Sequence, residues 1–217
     1  MPQAIVFDLD GTLTNTEHAW DEVRRALAAD AGIAWTDDHT RAMMGMSTPE
    51  WSRYLSEEVG LPMTPEESAR ATISGMVAHY QDGVELLPGA VESVRRMAEK
   101  YPIAIVSSSP RVLIETAAEV MGIADLLQAT VSTEEVGRGK PAPDGYLKAC
   151  ELLGSLPGRT IAVEDAHNGI LSALRGGLTV VAVPQDFHPP AEEVLAQATV
   201  IGSLDELTHE LVAGLLP

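Results

Sequence analysis

Residues 4–12 read Ala4-Ile5-Val6-Phe7-Asp8-Leu9-Asp10-Gly11-Thr12. Four apolar residues run straight into two carboxylates spaced by one leucine. A short run that is apolar at every position predicts a strand buried on both faces, as in a parallel sheet covered by helices. The pattern recurs at Ile103-Ala104-Ile105-Val106, more weakly at Ala129-Thr130-Val131, and again at Thr160-Ile161-Ala162-Val163 and Thr179-Val180-Val181-Ala182-Val183. Between these runs, helical periodicity covers about 89–100, 111–121, 143–153 and 168–175. Strands alternating with helices predict an α/β, Rossmann-like, doubly wound parallel sheet.

The stretch 15–84 breaks the alternation and holds no convincing strand. It reads as helices over about 16–31, 37–44, 49–59 and 65–80. Thr48-Pro49 and Thr64-Pro65 each look like an N-cap followed by proline at the first helical position, with an acidic residue next. The expected organisation is an α/β core, 1–14 and 85–217, with a helical cap, 15–84, inserted after the first strand. Such an insert leaves the sheet at the carboxyl end of a strand, where α/β sheets bind ligands, so it is a lid by position. Residues 186–190 are expected to form a surface loop, and the tail from about Ser203 a terminal helix.

Composition narrows the function classes. A chain of 217 residues can bury a substantial core. No apolar run approaches the ~20 residues of a membrane span, and no signal peptide is evident at the N-terminus. Cys150 is the single cysteine, so no internal disulfide is possible and a reducing, cytoplasmic setting is expected. A formal net charge of −18 repels nucleic acid. It also repels small anions at long range, so an anionic ligand has to be held by a metal, one or two cations, or helix N-termini. The expected partner is a small molecule, bound by a monomer or small homo-oligomer.

Polar residues fall where strands end. The first strand ends in Asp8-Leu9-Asp10-Gly11-Thr12, the second in Ser107-Ser108-Ser109 and the fourth in Glu164-Asp165. Lys140 lies in the loop after the third, in Gly139-Lys140-Pro141-Ala142-Pro143-Asp144. In a parallel sheet these ends share one edge and converge. Asp8, Asp10, Glu164 and Asp165 crowded together repel one another unless a cation intervenes. Oxygen ligands without nearby His or Cys favour Mg²⁺ over zinc. A metal, a lysine and hydroxyl or backbone donors suit a phosphoryl group, whose charge sits on its peripheral oxygens. A carboxylate that attacks phosphorus divides one hard step into two.

Asp8-Leu9-Asp10-Gly11-Thr12, Ser107, Lys140 and Glu164-Asp165 resemble, in order and spacing, the four motifs of the haloacid dehalogenase-like superfamily. The resemblance spans essentially the whole chain. The helical insert, Lys140-Pro141-Ala142-Pro143-Asp144 and Glu164-Asp165-Ala166-His167-Asn168-Gly169 are similar to the beta-phosphoglucomutase and phosphoglycolate phosphatase branch. The resemblance implies Asp8 as nucleophile and Mg²⁺ ligand. It implies Asp10 as general acid/base, with its backbone carbonyl on the metal, Asp165 as a direct ligand, and Glu164 as a direct ligand or its neighbour. Ser107 and Lys140 are then expected to hold the phosphoryl oxygens, assisted by backbone N–H groups of Leu9 and Ser108.

Within that family, Asp10 separates this chain from the dehalogenases, which lack an acid/base there. Phosphonate hydrolases use a cap lysine, and no lysine precedes Lys100. Mutases carry a cap arginine after a Gly-x-Ser turn and a Ser-Lys-Asn run after the second motif. Here those stretches read Gly45-Met46-Ser47-Thr48 and Ser109-Pro110-Arg111. The expected function is therefore hydrolysis of a small phosphomonoester, such as a sugar phosphate, with phosphomutase action as the alternative. A noncatalytic binding or regulatory protein on the same scaffold is the alternative of another class. The intact Asp8, Asp10, Lys140 and Asp165 argue against it, because a pure binder needs no paired nucleophile and acid/base.

Plainer roles compete for several residues. Met43, Met44, Met46, Trp20 and Trp51 form either a substrate wall or, more often at helical spacing, plain core. His18, Met46, Thr48 and Asn168 are candidate substrate contacts. His167 and Asn168 also fit a simple helix start. Arg111 either binds an anion or is solvated. Cys150 reads as buried and inert.

Overall fold

The structure, a computed structural model, describes residues 1–43, 46–185 and 189–216. Met44, Gly45 and the expected loop residues Asp186 to His188 lie outside the described residues. The chain divides into two units, one of Met1–Asn15 and Val84–Pro217, the other of Thr16–Gly83.

In chain order the elements are β1 (Ala4–Phe7), α1 (Glu17–Asp30), α2 (Asp37–Met43), α3 (Thr48–Glu57), α4 (Pro65–Gly83), α5 (Ala90–Ala98), β2 (Ile103–Ser107) and α6 (Arg111–Val120). There follow β3 (Leu127–Ser132), α7 (Asp144–Leu153), β4 (Thr160–Glu164), α8 (His167–Arg175), β5 (Thr179–Ala182), α9 (Glu192–Leu195), β6 (Thr199–Val200) and α10 (His209–Leu215). Among the described residues the strands form one six-stranded sheet, ordered β3-β2-β1-β4-β5-β6 and parallel throughout. The expected Rossmann-like class is what the chain adopts. Ile5 stands level with Ile103 on one side and Ile161 on the other. β1 is therefore the strand from which the order runs outward in both directions, the switch point where open α/β sheets leave a crevice at their carboxyl ends.

Period two explains the continuous apolar runs. Val6, Ala104, Val106 and Ala162 pack with Tyr146, Ala149, Ile170 and Ala173 of α7 and α8. Ile5, Phe7, Ile103, Ile105, Ile161 and Val163 alternate with them and are also fully buried. Each large apolar side chain so buried contributes roughly 1.5–3 kcal/mol before entropy is counted.

The first unit also holds the roots of the insert. Thr14 bridges Leu86 in antiparallel fashion. Asn15 N–H donates to Glu85 O at 2.9 Å and Leu87 N–H to Leu13 O at 3.0 Å.

The second unit is all helix among its described residues, around Ala28, Met43, Trp51, Leu55, Val59 and Leu61. Trp20 and Met46 pack partly buried against this core. Thr64 caps α4 as expected, with Glu67 N–H donating to Thr64 Oγ1 at 3.2 Å and Thr64 N–H to Glu67 Oε2 at 2.8 Å. The cap of α3 is Ser47 rather than Thr48. Ser47 N–H reaches back to Glu50 Oε2 at 2.8 Å, which moves Thr48 into the first helical turn. β6 was not expected, because a two-residue strand carries no readable period. The tail is not one helix from Ser203: a 3₁₀ turn, Leu204–Glu206, precedes α10, which Thr208 caps. No helix of the described residues is long and apolar enough to cross a membrane.

Candidate active site

Asp8 leaves β1 at the switch point, buried. The chain then turns tightly, with Gly11 N–H donating to Thr14 O at 2.8 Å and Leu13 N–H to Leu9 O at 2.8 Å. Gly11 has φ +88, and a Cβ there lies 2.3 Å from Asp165 Oδ2. Both backbone and space therefore demand glycine. The turn aims Thr12, whose Oγ1 donates to Asp165 Oδ1 at 2.9 Å. The β1 loop and the end of β4 are thus locked together.

Lys140 reaches into this junction. Its Nζ donates to Asp8 Oδ1 at 2.5 Å, Glu164 Oε1 at 2.6 Å and Val106 O at 3.4 Å. Glu164 is fully buried and engaged on both oxygens. Oε1 also accepts from Tyr146 OH at 2.7 Å, and Oε2 from the N–H groups of Asp165 and Ala166 at 3.2 and 3.3 Å.

The electrostatics follow from three carboxylates sharing one ammonium. Burial, then the Glu164 charge, pushes the Asp8 carboxyl well above the usual range, against the opposing pull of Lys140. Burial and Glu164 raise Asp165 to about 7, partly countered by Thr12. Burial disfavours the Lys140 ammonium, but Asp8 and Glu164 outweigh it and hold its pKa above the ordinary lysine value. Burial and then Glu164 push the Tyr146 phenol up, so it stays a donor.

Asp8, Glu164 and Asp165 each offer an oxygen, all within 4.8 Å of one another. An excess of buried negative charge, expressed as raised carboxyl pKa values, fits a divalent cation. The all-oxygen donor set is that of a hard cation.

Beside this cluster, Asp10 Oδ2 accepts from Ser107 Oγ at 3.0 Å and Ser109 Oγ at 2.7 Å, while Ser109 N–H donates to Ser107 Oγ at 2.9 Å. Ser107, expected on a phosphoryl oxygen, is here turned onto Asp10. Ser108 is exposed and the Leu9 side chain buried.

Other sequence candidates scatter. Asn168 is exposed in the first turn of α8, and His167 opens that helix with Nδ1 accepting from Ala191 N–H at 3.4 Å. Arg111 is neither free for an anion nor merely solvated. It ties α6 to β3 and the following turn, through Thr130 Oγ1 at 2.9 Å, Thr130 O at 3.2 Å and Glu135 Oε1 at 2.6 Å. Cys150 is buried, as expected. In the helical unit, His18 is exposed, Thr48 half-buried, and Trp51 and Met43 belong to the core. The Arg24 guanidinium lies 5.0 Å from the Trp20 ring and 5.1 Å from the Trp51 ring.

Sequence reading assigned no role to Thr12, Ser109 or Tyr146. The signal for Tyr146 is general: a tyrosine on the apolar face of a helix needs a partner for its hydroxyl.

Comparison with known proteins agrees with this geometry. A family model described as haloacid dehalogenase-like hydrolase matches residues 2–177. The validoxylamine A 7'-phosphate phosphatase of Streptomyces hygroscopicus subsp. limoneus is 32% identical, over 96% of this chain and 96% of that protein. Hexitol phosphatase A of Escherichia coli (strain K12) is 31% identical, over 95% of this chain and 93% of that protein. The crystal structure of CbbY from Rhodobacter sphaeroides in complex with phosphate superposes with a TM-score of 0.84 at 25% identity, over 95% of this chain and 96% of that one. With its motifs gathered at the switch point of a six-stranded parallel sheet, the chain is an enzyme belonging to the haloacid dehalogenase-like hydrolase family.

Proposed function

We propose that this enzyme is a Mg²⁺-dependent phosphatase that hydrolyses small phosphomonoesters, sugar or polyol phosphates among them, through an aspartyl phosphate on Asp8. The observation that carries the reading is Asp8 held by Lys140 at the switch point, with Glu164 and Asp165 beside it. Phosphatases of hexitols and of fructose 1-phosphate among its relatives support the substrate class.

In this reading an Asp8 oxygen attacks phosphorus, and the bond to the ester oxygen breaks. Asp10 leaves its serine partners and gives that oxygen a proton. The resulting carboxylate then takes a proton from water, which attacks the phosphoryl group and restores Asp8. Lys140, Ser107 and backbone N–H groups of the Leu9 and Ser108 loops hold the peripheral oxygens. Asp8, Glu164, Asp165 and the Asp10 carbonyl would hold Mg²⁺, which when bound neutralises the cluster and the phosphoryl charge. The helical unit serves as the cap that selects the leaving group, through residues such as His18, Met46 and Thr48, with Asn168 contributing from α8. The buried thiol Cys150 suits a cytoplasmic enzyme.

Hydrolysis is favoured over mutase action because Arg111, the cation in the stretch after the second motif, is committed to Thr130 and Glu135. The test is a panel of phosphomonoesters with Mg²⁺, assayed for inorganic phosphate and for isomerised sugar phosphate. Release of phosphate without isomer is expected. Isomer as the main product establishes the mutase instead, and no turnover of any member rejects the catalytic reading.

A further inference from the structure

Lys140 is asked to be in one place while several acceptors compete for it. Its stem is long and flexible, and it stands between Asp8 Oδ1 and Glu164 Oε1 at nearly equal distances of 2.5 and 2.6 Å. Glu164 cannot move away, because two backbone N–H groups hold its other oxygen and Gly169 packs against its carboxyl. Left alone with Lys140, Oε1 would be a strong, dry acceptor and would draw the ammonium off the nucleophile.

Tyr146 shares that oxygen. Its hydroxyl reaches Oε1 at 2.7 Å, and its ring lies 5.5 Å from Lys140 Nζ. The side chain has no exposed surface and lies in the core cluster that also holds Val6, Ala104, Val106 and Ala162, so the hydroxyl is held by packing. A neutral donor on Oε1 satisfies part of its demand without adding charge to the cluster.

We propose that Tyr146 is a positioning residue for phosphoryl transfer: by engaging Glu164 Oε1 it keeps Lys140 balanced toward Asp8 and the phosphoryl oxygens. The proposal rests on the phosphatase reading of this site. It adds a residue that touches neither nucleophile nor substrate and whose hydroxyl acts through Glu164.

The test compares full-length wild type and Y146F in Mg²⁺ by hydrolysis of para-nitrophenyl phosphate and by calorimetric affinity for inorganic phosphate. Y146F keeps the ring and its packing. Its kcat is expected to fall at least about tenfold, with phosphate affinity weakened by a similar factor, as for loss of one hydrogen bond to a charged group. In an E164Q background the same substitution is expected to change neither quantity further. Tyr146→4-aminophenylalanine, which restores a donor, is expected to recover most of the loss. Wild-type kcat and phosphate affinity in Y146F, a lowered melting temperature alone, or an undiminished effect in E164Q overturns the proposal. If Y146F does not fold, Tyr146→4-fluorophenylalanine, which fills the hydroxyl's space without a donor, replaces it, and unchanged kcat and affinity there overturn the proposal equally. A wild-type enzyme that neither hydrolyses the ester nor binds phosphate rejects the phosphatase reading itself; an active wild type matched by Y146F rejects only the role of Tyr146.

Discussion

Gly169 has no room for a side chain, because a Cβ there lies 1.9 Å from Glu164 Oε1. Its backbone is ordinary helix in α8, where alanine normally gains about 0.5–1 kcal/mol over glycine. G169A is expected to reverse that sign, destabilising the fold by about 2 kcal/mol through overpacking and lowering kcat as Glu164 is displaced. Gly214 in α10, where a Cβ meets nothing, is the control, and G214A is expected to stabilise by about 0.5 kcal/mol. Urea unfolding checks both. A G169A as stable and active as wild type removes the close packing from the account.

Lys140 is the lone ammonium bonded to Asp8 and Glu164 among the described residues. K140M leaves two buried carboxylates without it, a loss of about 3–5 kcal/mol for a broken buried pair. Turnover is expected to drop at least about a hundredfold, as for removal of a charge that stabilises the transition state. Mg²⁺ is expected to recover part of the stability and little of the activity. Denaturant melts with and without Mg²⁺, alongside a phosphate-release assay, separate the two; wild-type values in both reject the assignment.

The raised pKa of Asp165, about 7, makes a prediction with a definite sign. In metal-free enzyme the folded chain holds this proton to higher pH than the unfolded chain, whose Asp titrates near 3.9. Between about pH 4 and 7 the unfolded state therefore binds fewer protons, and this group's contribution to stability falls as pH rises. Asp8 shifts the same way. Mg²⁺ favours the charged carboxylates, so the gap between melting temperatures in Mg²⁺ and in EDTA is expected to widen from about pH 5 to 8. D165N is expected to flatten that widening. A gap constant with pH in the wild type contradicts the assignment.

Asp8 and Asp10 divide the chemistry in a way that substitution separates. D8N is expected to abolish turnover and any acid-stable labelled phosphoenzyme. D10N is expected to slow both half-reactions by about 10²–10⁴-fold, the usual range for general acid–base catalysis, while keeping the Mg²⁺-induced rise in melting temperature. Rapid-quench labelling with a ³²P ester reads both. Wild-type rates in D8N sink the nucleophile, and unchanged rates in D10N sink the acid/base.

What the sequence disclosed, and what it hid, follows from range. β1, β2 and β4 were legible because strands buried on both faces are apolar at every position. Parallel topology then forces their polar ends to one edge, so Asp8, Lys140, Glu164 and Asp165 were foreseen as neighbours. β6 was not legible, since Thr199 and Val200 are too few to show a period. The cap of α3 slipped by one residue because Ser47 and Thr48 are both good capping residues, and only the contact to Glu50 decides between them. Tyr146 was invisible for another reason. Its partner Glu164 lies one crossover away, and no local pattern distinguishes a core tyrosine from one that holds a carboxylate.

The paired roots of the helical unit carry an evolutionary meaning. Leu13 to Asn15 and Glu85 to Leu87 are tied to each other inside the sheet-bearing unit, so the departing and returning strands are neighbours whatever the chain does between them. Loop-closure entropy grows only with the logarithm of length, about 0.6 kcal/mol per doubling. Such an insertion point tolerates exchange: one graft can replace another of different size while the barrier chemistry stays with the sheet. Inheritance can then run on two clocks, a slow one for Asp8 and its partners and a faster one for whatever decides which ester is admitted.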